Sequence, residues 1–340
     1  MTVPALVIGA MSITLSQRVT SNGGTPMTEF TRRTTLAAFG AALAAPALIR
    51  TTPTLAKAKM LGAARPTHFR FPLGDFEVTT IFDGSVTLGG PHPIFGENVD
   101  AKEVAAFAEA NNLPSDTMEI GFTVTLVNTG SELVLFDTGN DGTQRPSAGK
   151  LRARMEEAGY SPEDVDVVVL THFHGDHIGG MMVDGKPAFP NARYVTSAKE
   201  YDHWVKADHA LTKKNVVPFA EKMTFIKDGE SVVSGIDAVS ANGHTQGHTV
   251  FHVESSEKRV LITGDTANHF VASLERPDWH VRFDMDKEGA VAARKKVFGM
   301  LAADGIPFIG YHMPYPAVVY LQDNGSGGFR YSAASYQLFV

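Results

Sequence analysis

"VVLTHFHGDHIGG" (168–180) places three histidines and an aspartate within six positions, directly behind an apolar run. The chain carries only 13 histidines in 340 residues, so this clustering is not background. The run in front of it, "VDVVVL" (165–170), reads as a strand buried on both faces. His172 and His174 leave the end of that strand pointing the same way, because strand side chains alternate with period two. Asp176 and His177 follow where the chain turns toward a helix, with Gly175 giving the turn room, so they can face a second point nearby. Two pairs of candidate ligands suggest two metal ions. Histidine with aspartate suits Zn²⁺, Mn²⁺ or Fe²⁺ far better than Ca²⁺. The chain has no cysteine, which excludes disulfides and thiolate ligands and leaves His, Asp and Glu to hold any metal. Surface histidines in a loop are the bland alternative, and they do not account for the spacing.

Around this stretch, hairpins mix with a few helices. "FEVTTIFDGSVTL" (76–88) carries two β-rich runs around Asp83-Gly84, a hairpin signal. "AKEVAAFAEANNLP" (101–114) reads as a helix stopped by Asn and Pro, and "FTVTLVNTGSELVLFDTG" (122–139) as a second hairpin. "AGKLRARMEEAGY" (148–160) has helical spacing. The second half offers "ARYVTS" and "VSGIDAVSA" as strands and "TVFHVESSEKRVLITGD" (249–265) as a third hairpin. "KEGAVAARKKVFGMLAADG" (287–305) is a helix with a Gly cap, and "PFIGYH" (307–312) a final core strand. Two roughly similar halves of this kind predict an α+β fold in which two sheets form a sandwich with helices outside.

Hydrophobic residues make up 43% of the chain and charged residues 20%, which excludes disorder as the main state. The net charge of −7 argues against a nucleic-acid partner. "TRRTTLAAFGAALAAPALI" (31–49) pairs Arg32 and Arg33 with an apolar run too short to span a bilayer. It resembles a twin-arginine export signal, although Thr35 stands where that signal usually has an apolar residue. An ordinary secretory signal or an uncleaved anchor is the alternative. Residues 1–58 are therefore expected to be a targeting segment, with Met27 a candidate start, and 59–340 a single catalytic domain in the periplasm or outside the cell. Removing 1–58 takes five basic residues and one acidic residue, leaving 25 basic against 36 acidic, net −11. No stable membrane anchor is expected after cleavage.

The spacing H-x-H-x-D-H resembles the signature of the metallo-β-lactamase superfamily, and further motifs of that superfamily follow in order. "LFDTG" carries Asp137 at a strand end, "GHTQGH" (243–248) resembles the third motif, "LITGD" ends on Asp265, and "IGYHMP" supplies His312. The resemblance covers most of 69–340 and implies an αββα four-layer sandwich. It further implies that His172, His174 and His248 hold one metal and Asp176, His177 and His312 the other, with Asp265 bridging. Asp137 would orient the site without binding metal. His244 is read as a hydrogen-bonded loop residue and His269 as a candidate substrate contact. His203, His209 and His252 are read as surface or packing residues. Phe95 and Phe173 are candidate cleft walls, and Trp204 and Trp279 are read as packing. The implied cofactor is two zinc ions, with Mn or Fe as alternatives, and the implied nucleophile is a hydroxide between them. Its water would have a pKa lowered toward ~7. Asp176 and Asp265 would be the carboxylates that take part in catalysis.

Which hydrolase the chain resembles is narrowed by absences. Classical zinc β-lactamases often use a cysteine ligand, and all-histidine ones lack the residue that His177 supplies. Flavodiiron-type reductases carry Glu at the position of His174. Superfamily nucleases gain from basic surfaces. Glyoxalase-II-like thioesterases share all seven ligands and stay open. The long lead-in and the tail look most similar to the branch of methyl parathion hydrolase-like enzymes, N-acyl homoserine lactonases and arylesterases. Compact lactonases commonly have Tyr three residues after the bridging Asp; this chain has Asn268. The expectation is a dinuclear-zinc lactonase or esterase acting on a small molecule, with N-acyl homoserine lactones, the signals removed in quorum quenching, as the leading substrate. Phosphotriester hydrolysis is the runner-up and a non-catalytic metal-binding module the remote alternative. The resemblance also allows a homodimer.

Overall fold

The apolar run at 167–169 forms a strand with every residue buried. Val167 and Val169 enter one apolar cluster and Val168 another, so both faces of this strand are covered. The computed structural model describes residues 60–335. The expected targeting segment, residues 1–58, lies outside the described residues.

The first sheet holds β1 (His68–Leu73), β2 (Phe76–Gly89), β3 (Thr117–Asn128), β4 (Leu133–Phe136), β5 (Val167–Val169), β8 (Arg193–Ser197) and β9 (Met223–Ile226), hydrogen-bonded in that order. A small hairpin of β6 (Met182–Val183) and β7 (Lys186–Pro187) stands apart. The second sheet holds β10 (Ser231–Val233), β11 (Ile236–Ser240), β12 (Thr249–Ser255), β13 (Lys258–Ile262), β14 (Phe308–Ile309), β15 (Val318–Asp323) and β16 (Phe329–Ala333). Val134, Phe136 and Val167 of the first sheet share one core with Ala238, Phe251 and Ile262 of the second. Phe136 and Phe251 meet across it at 5.3 Å between ring centroids. Leu151 and Met155 of the Leu151–Glu157 helix pack on the outer face of the first sheet. Phe298 of the Lys287–Asp304 helix covers the second sheet at Phe308. The order helix, sheet, sheet, helix is the expected αββα sandwich.

Strands β4, β5, β8 and β9 run parallel in the first sheet, and β13 and β14 in the second. Parallel strands bring their carboxyl ends to one edge, where ligands bind in open α/β sheets. Asp137 follows β4, His172 follows β5, Asp265 follows β13 and His312 follows β14. Among the described residues no helix is long and apolar enough to cross a membrane.

Three segments depart from the sequence reading. Residues 76–89 form one continuous strand, not a hairpin, and Asp83-Gly84 is a bulge in its pairing with β3. The Asp83 carboxylate is buried and accepts from Asn140 N (3.0 Å), Asn140 Nδ2 (2.9 Å), Gly149 N (3.0 Å) and Leu151 N (2.8 Å). Gly84 has φ 153°, and a Cβ there would lie 2.4 Å from Ala148 Cα. The pair that signals a turn serves instead to hold the 139–151 loop. Residues 231–240 form two antiparallel strands, β10 and β11, where one was expected. The strand at 308–309 is followed by two more, β15 and β16.

Asp83→Ala leaves four donors, three buried and one half-buried, without an acceptor, so a loss of about 3 kcal/mol in unfolding free energy is expected. Urea denaturation of the two proteins checks it, and a difference under about 0.5 kcal/mol, the scale of an ordinary surface substitution, would contradict this role.

Candidate metal centre

The chain leaves β5 through Thr171 and His172, and His174 caps the short Gly175–Ile178 helix that carries Asp176 and His177 in its first turn. Asp137 locks this junction in place. It sits at φ 65°, in the left-handed region, and accepts from Thr171 N (2.8 Å), Thr171 Oγ1 (2.9 Å) and His177 Nδ1 (2.7 Å). The backbone N–H and hydroxyl of Thr138 both donate to the carbonyl of His177 at 2.8 Å. The chain can close this tightly because position 180 is glycine: a Cβ there would lie 2.0 Å from the Thr138 carbonyl oxygen.

Seven side chains converge at this edge. His172 Nε2 and His174 Nδ1 lie 3.1 Å apart, and His244 Nε2 lies 3.2 Å from the first and 3.0 Å from the second. Asp176, His177 and His312 form a second group, with Asp176 Oδ2 3.7 Å from His177 Nε2 and 3.6 Å from His312 Nε2. Asp265 stands between the groups. Its Oδ2 is 3.2 Å from His244 Nε2 and 3.1 Å from His312 Nε2, and its Oδ1 is 3.2 Å from His177 Nε2.

The seventh member is His244; His248, expected from the sequence as the ligand, lies outside the convergent group. Both nitrogens of the His248 ring are occupied by backbone: Nδ1 donates to Ala241 O (3.2 Å) and Nε2 accepts the N–H of Asp265 (3.0 Å). Burial pushes His248 down to about 3, which agrees with a neutral ring in that tautomer. His248 thus holds the backbone of Asp265 while His244 reaches the centre. The structure brings His172, His174, Asp176, His177, Asp265 and His312, the other six residues expected from the sequence, together at this edge.

The inward-facing atoms fit cations. His177 donates from Nδ1 to Asp137, His244 to Asp284 Oδ1 (2.8 Å), and His312 to Gly121 O (2.9 Å). Each neutral ring then turns the lone pair of Nε2 inward, toward the carboxylate of Asp265. His177 Nε2 and Asp265 Oδ1 are buried with no hydrogen-bond partner. Lone pairs crowded at about 3 Å repel unless a positive charge lies among them. Protons can partly supply it. Burial works against charge on His244, yet hydrogen bonds to Asp265 and Asp284 raise it to about 9. Burial likewise opposes charge on His177, and the carboxylates of Asp265, Asp137 and Asp176 lift it well above its ordinary value. His174, facing mostly other imidazoles, is pushed down by burial to about 3. All donors are imidazole nitrogen or carboxylate oxygen, a set suited to Zn²⁺, Mn²⁺ or Fe²⁺.

A cavity of about 340 Å³ opens onto this edge. Val86, Leu88, Ile120, Phe122 and Phe283 make its walls apolar; Arg145 and Asn268 are its polar residues beside the metal-facing side chains. Asn268 Nδ2 donates to Asp265 Oδ2 at 2.9 Å. His269, the candidate substrate contact, lines a separate apolar cavity with Phe107, Met118 and Trp279, and burial pushes it to about 4. Phe95 is buried against His269, and Phe173 is buried in the second core cluster, so neither walls the metal-side cavity. His203 and His209 flank the Trp204 ring outside that cavity.

Sequence reasoning missed a buried chain behind His244. Asp284 passes from His244 to Arg294 Nη2 (2.9 Å), and Arg294, fully buried, also donates to the carbonyls of Thr266 (3.0 Å) and Pro277 (2.9 Å). No spacing signal links these residues. Tyr311 was missed as well, although it directly precedes His312: its ring lies tilted by 33° against that of His177, 3.9 Å between centroids, and its hydroxyl donates to the Asp176 carbonyl.

The family model described as the metallo-beta-lactamase superfamily matches residues 123–304, more than half of the chain. The chain belongs to that superfamily. The matched segment holds six of the seven convergent side chains, with His312 just beyond it. An N-acyl homoserine lactonase from Bacillus sp is 30% identical over 114 residues, covering 33% of this chain and 43% of the lactonase. A probable metallo-hydrolase of Mycobacterium tuberculosis is 29% identical over 184 residues, covering 43% of this chain and 56% of that protein. The chain thus spans about half the length of these curated relatives. Among solved structures, AidC, described as a dizinc quorum-quenching lactonase in complex with a product N-hexanoyl-L-homoserine, aligns with a TM-score of 0.71 at 25% identity. That alignment covers 79% of this chain and 98% of AidC. The hydrolase AbOPH aligns with a TM-score of 0.73 at 23% identity over 81% of this chain and 99% of its own, which shows the shared fold.

Proposed function

We propose that this superfamily member is a metal-dependent hydrolase that opens N-acyl homoserine lactones, using two zinc ions. The observation that carries the reading is Asp265, a single buried carboxylate shared by two groups of ligating side chains at the mouth of an apolar-walled cavity. His172, His174 and His244 would hold one ion, and Asp176, His177 and His312 the other, with Asp265 between them. Cations held by these residues would supply Lewis acidity and a water of lowered pKa, a nucleophile available at neutral pH.

The chain's own residues do the rest. Asp137 and Asp284 fix the tautomers of His177 and His244, so the nitrogen left free in each ring faces the centre. Asn268 fixes the plane of the Asp265 carboxylate through its amide N–H. In lactone opening a C–O bond forms to water, the ring C–O bond breaks and the departing alkoxide takes a proton. Asp176, on the cavity wall, is placed to hold and deliver that proton. Val86, Leu88, Ile120 and Phe122 suit an uncharged substrate with an apolar tail. The lactonases among the relatives support the lactone, and the dizinc lactonase AidC supports zinc. From the twin-arginine-like stretch at 31–49 we propose that the protein is exported to the periplasm or outside the cell; replacing Arg32 and Arg33 with Lys should retain it in the cytoplasm, seen by cell fractionation.

The test is kcat/KM on one zinc-loaded preparation, comparing a long-chain N-acyl homoserine lactone with a dimethyl aryl phosphotriester. The lactone is expected to reach about 10⁴ M⁻¹s⁻¹ or more and to exceed the phosphotriester. A ratio well below one would overturn the substrate assignment in favour of phosphotriester hydrolysis.

A further inference from the structure

Beneath the three-histidine group, the Ala198–Lys206 helix carries a glutamate that is completely buried. Both oxygens of Glu200 are used. Oε1 accepts the backbone N–H of Phe173 (2.9 Å) and the indole N–H of Trp204 (2.7 Å). Oε2 accepts the hydroxyl of Thr245 (2.7 Å) and the backbone N–H of Gly247 (2.8 Å). Phe173 stands between His172 and His174, and Thr245 directly follows His244. One carboxylate therefore ties together the two loops that carry all three histidines. Packing agrees with this. A Cβ on Gly247 would lie 2.2 Å from the backbone nitrogen of Glu200 and 2.5 Å from Ser197 Oγ, so the 243–248 loop rests on the first turn of this helix. At the far end of the helix, the Trp204 ring meets the His174 ring edge-on, 5.8 Å between centroids.

We infer that Glu200 is a positioning residue of the metal centre: it sets the spacing between the loop of His172 and His174 and the loop of His244, and thereby the affinity and geometry of the ion these three hold. This rests on the reading of the convergent side chains as a metal centre. The chemistry of the carboxylate makes it hard to replace. An ionised carboxylate only accepts, and four donors use its whole capacity. An amide of the same shape presents a donor on one side. Facing Phe173 and Trp204 it would meet two fixed N–H groups. Facing Thr245 and Gly247 it would meet one hydroxyl that can rotate to accept and one backbone N–H that cannot. Glutamine therefore settles with its NH₂ toward the 243–248 loop, leaves the Gly247 N–H against a donor, and loosens His244 while still holding the 172–174 loop.

The test uses the full chain loaded with cobalt, with the number of tightly bound ions and the visible absorption as readouts. Glu200→Gln is expected to weaken one of two cobalt equivalents about tenfold or more and to change the absorption of that ion, while the other equivalent keeps its parental affinity. Thr245→Val, which removes one of the four bonds, should shift both readouts the same way by less. Val297→Ala, a cavity beneath the Lys287–Asp304 helix, should lower the Tm and leave affinity and absorption unchanged. If Glu200→Gln and Thr245→Val bind both ions with parental affinity and absorption, the inference is overturned and Glu200 only supports the fold. Should Glu200→Gln fail to fold, Thr245→Val decides by the same criterion. A parent chain that binds no cobalt contradicts both this inference and the metal centre. Intact cobalt binding without lactone hydrolysis bears on the substrate alone.

Discussion

His244→Ala is expected to lose one bound metal ion and to lower kcat/KM by about 10³-fold or more, because it removes a nitrogen within 3.2 Å of His172, His174 and Asp265. His248→Ala is expected to keep both ions and to lose about tenfold, the scale of a group that acts by orienting a ligand. The two histidines are four positions apart in one motif, yet their surroundings assign them different work. His248 lies under the turn into Asp265, where a Cβ on Gly264 would come within 2.9 Å of its Nε2, and both its ring nitrogens are spent on backbone groups. Metal analysis of the two purified variants, beside their kinetics, checks the pair. Loss of an ion from His248→Ala with retention in His244→Ala would reverse the assignment.

Removing the metal should abolish activity, and its return should depend steeply on pH. In the metal-free fold, burial lowers His244 but Asp265 and Asp284 raise it to about 9, and His177 and His312 are raised for the same kind of reason. A histidine raised above its ordinary value of 6.5 stabilises the fold fully below that value and loses the contribution as pH rises through its folded pKa. These protons occupy nitrogens that a metal needs, so loading must expel them. Affinity for zinc should therefore rise with pH up to about 9, by about tenfold per pH unit for each proton displaced. His174 and His248, both pushed to about 3 by burial, are neutral throughout and add no slope. Competition titrations against a chelator at pH 6.5, 7.5 and 8.5 measure the slope. A pH-independent affinity would contradict this electrostatic picture.

Much of the centre was legible because strand alternation and one strong motif place residues locally. His172, His174, Asp176 and His177 sit within six positions, and the ends of β13 and β14 announce Asp265 and His312 by their apolar runs. The choice between His244 and His248 was not local. It depends on which ring the turn into Asp265 covers, and that contact joins residues 17 apart in sequence. Asp284, Arg294 and Glu200 were invisible for the same reason: each acts through partners brought close only by the sandwich, and an isolated acidic or basic residue reads as solvated surface. Asp83-Gly84 misled in the opposite direction. The dipeptide favours a hairpin turn, but the four donors from the 139–151 loop reward a bulge that buries the carboxylate, and tertiary contacts outweigh the local preference.

The most direct measurement is anomalous diffraction at the zinc edge from crystals of the zinc-loaded protein. Two peaks are expected, one within bonding distance of His172, His174 and His244 and the other within bonding distance of Asp176, His177 and His312, with a carboxylate oxygen of Asp265 on each. A peak bonded to His248, or the absence of any peak among these side chains, would contradict the account.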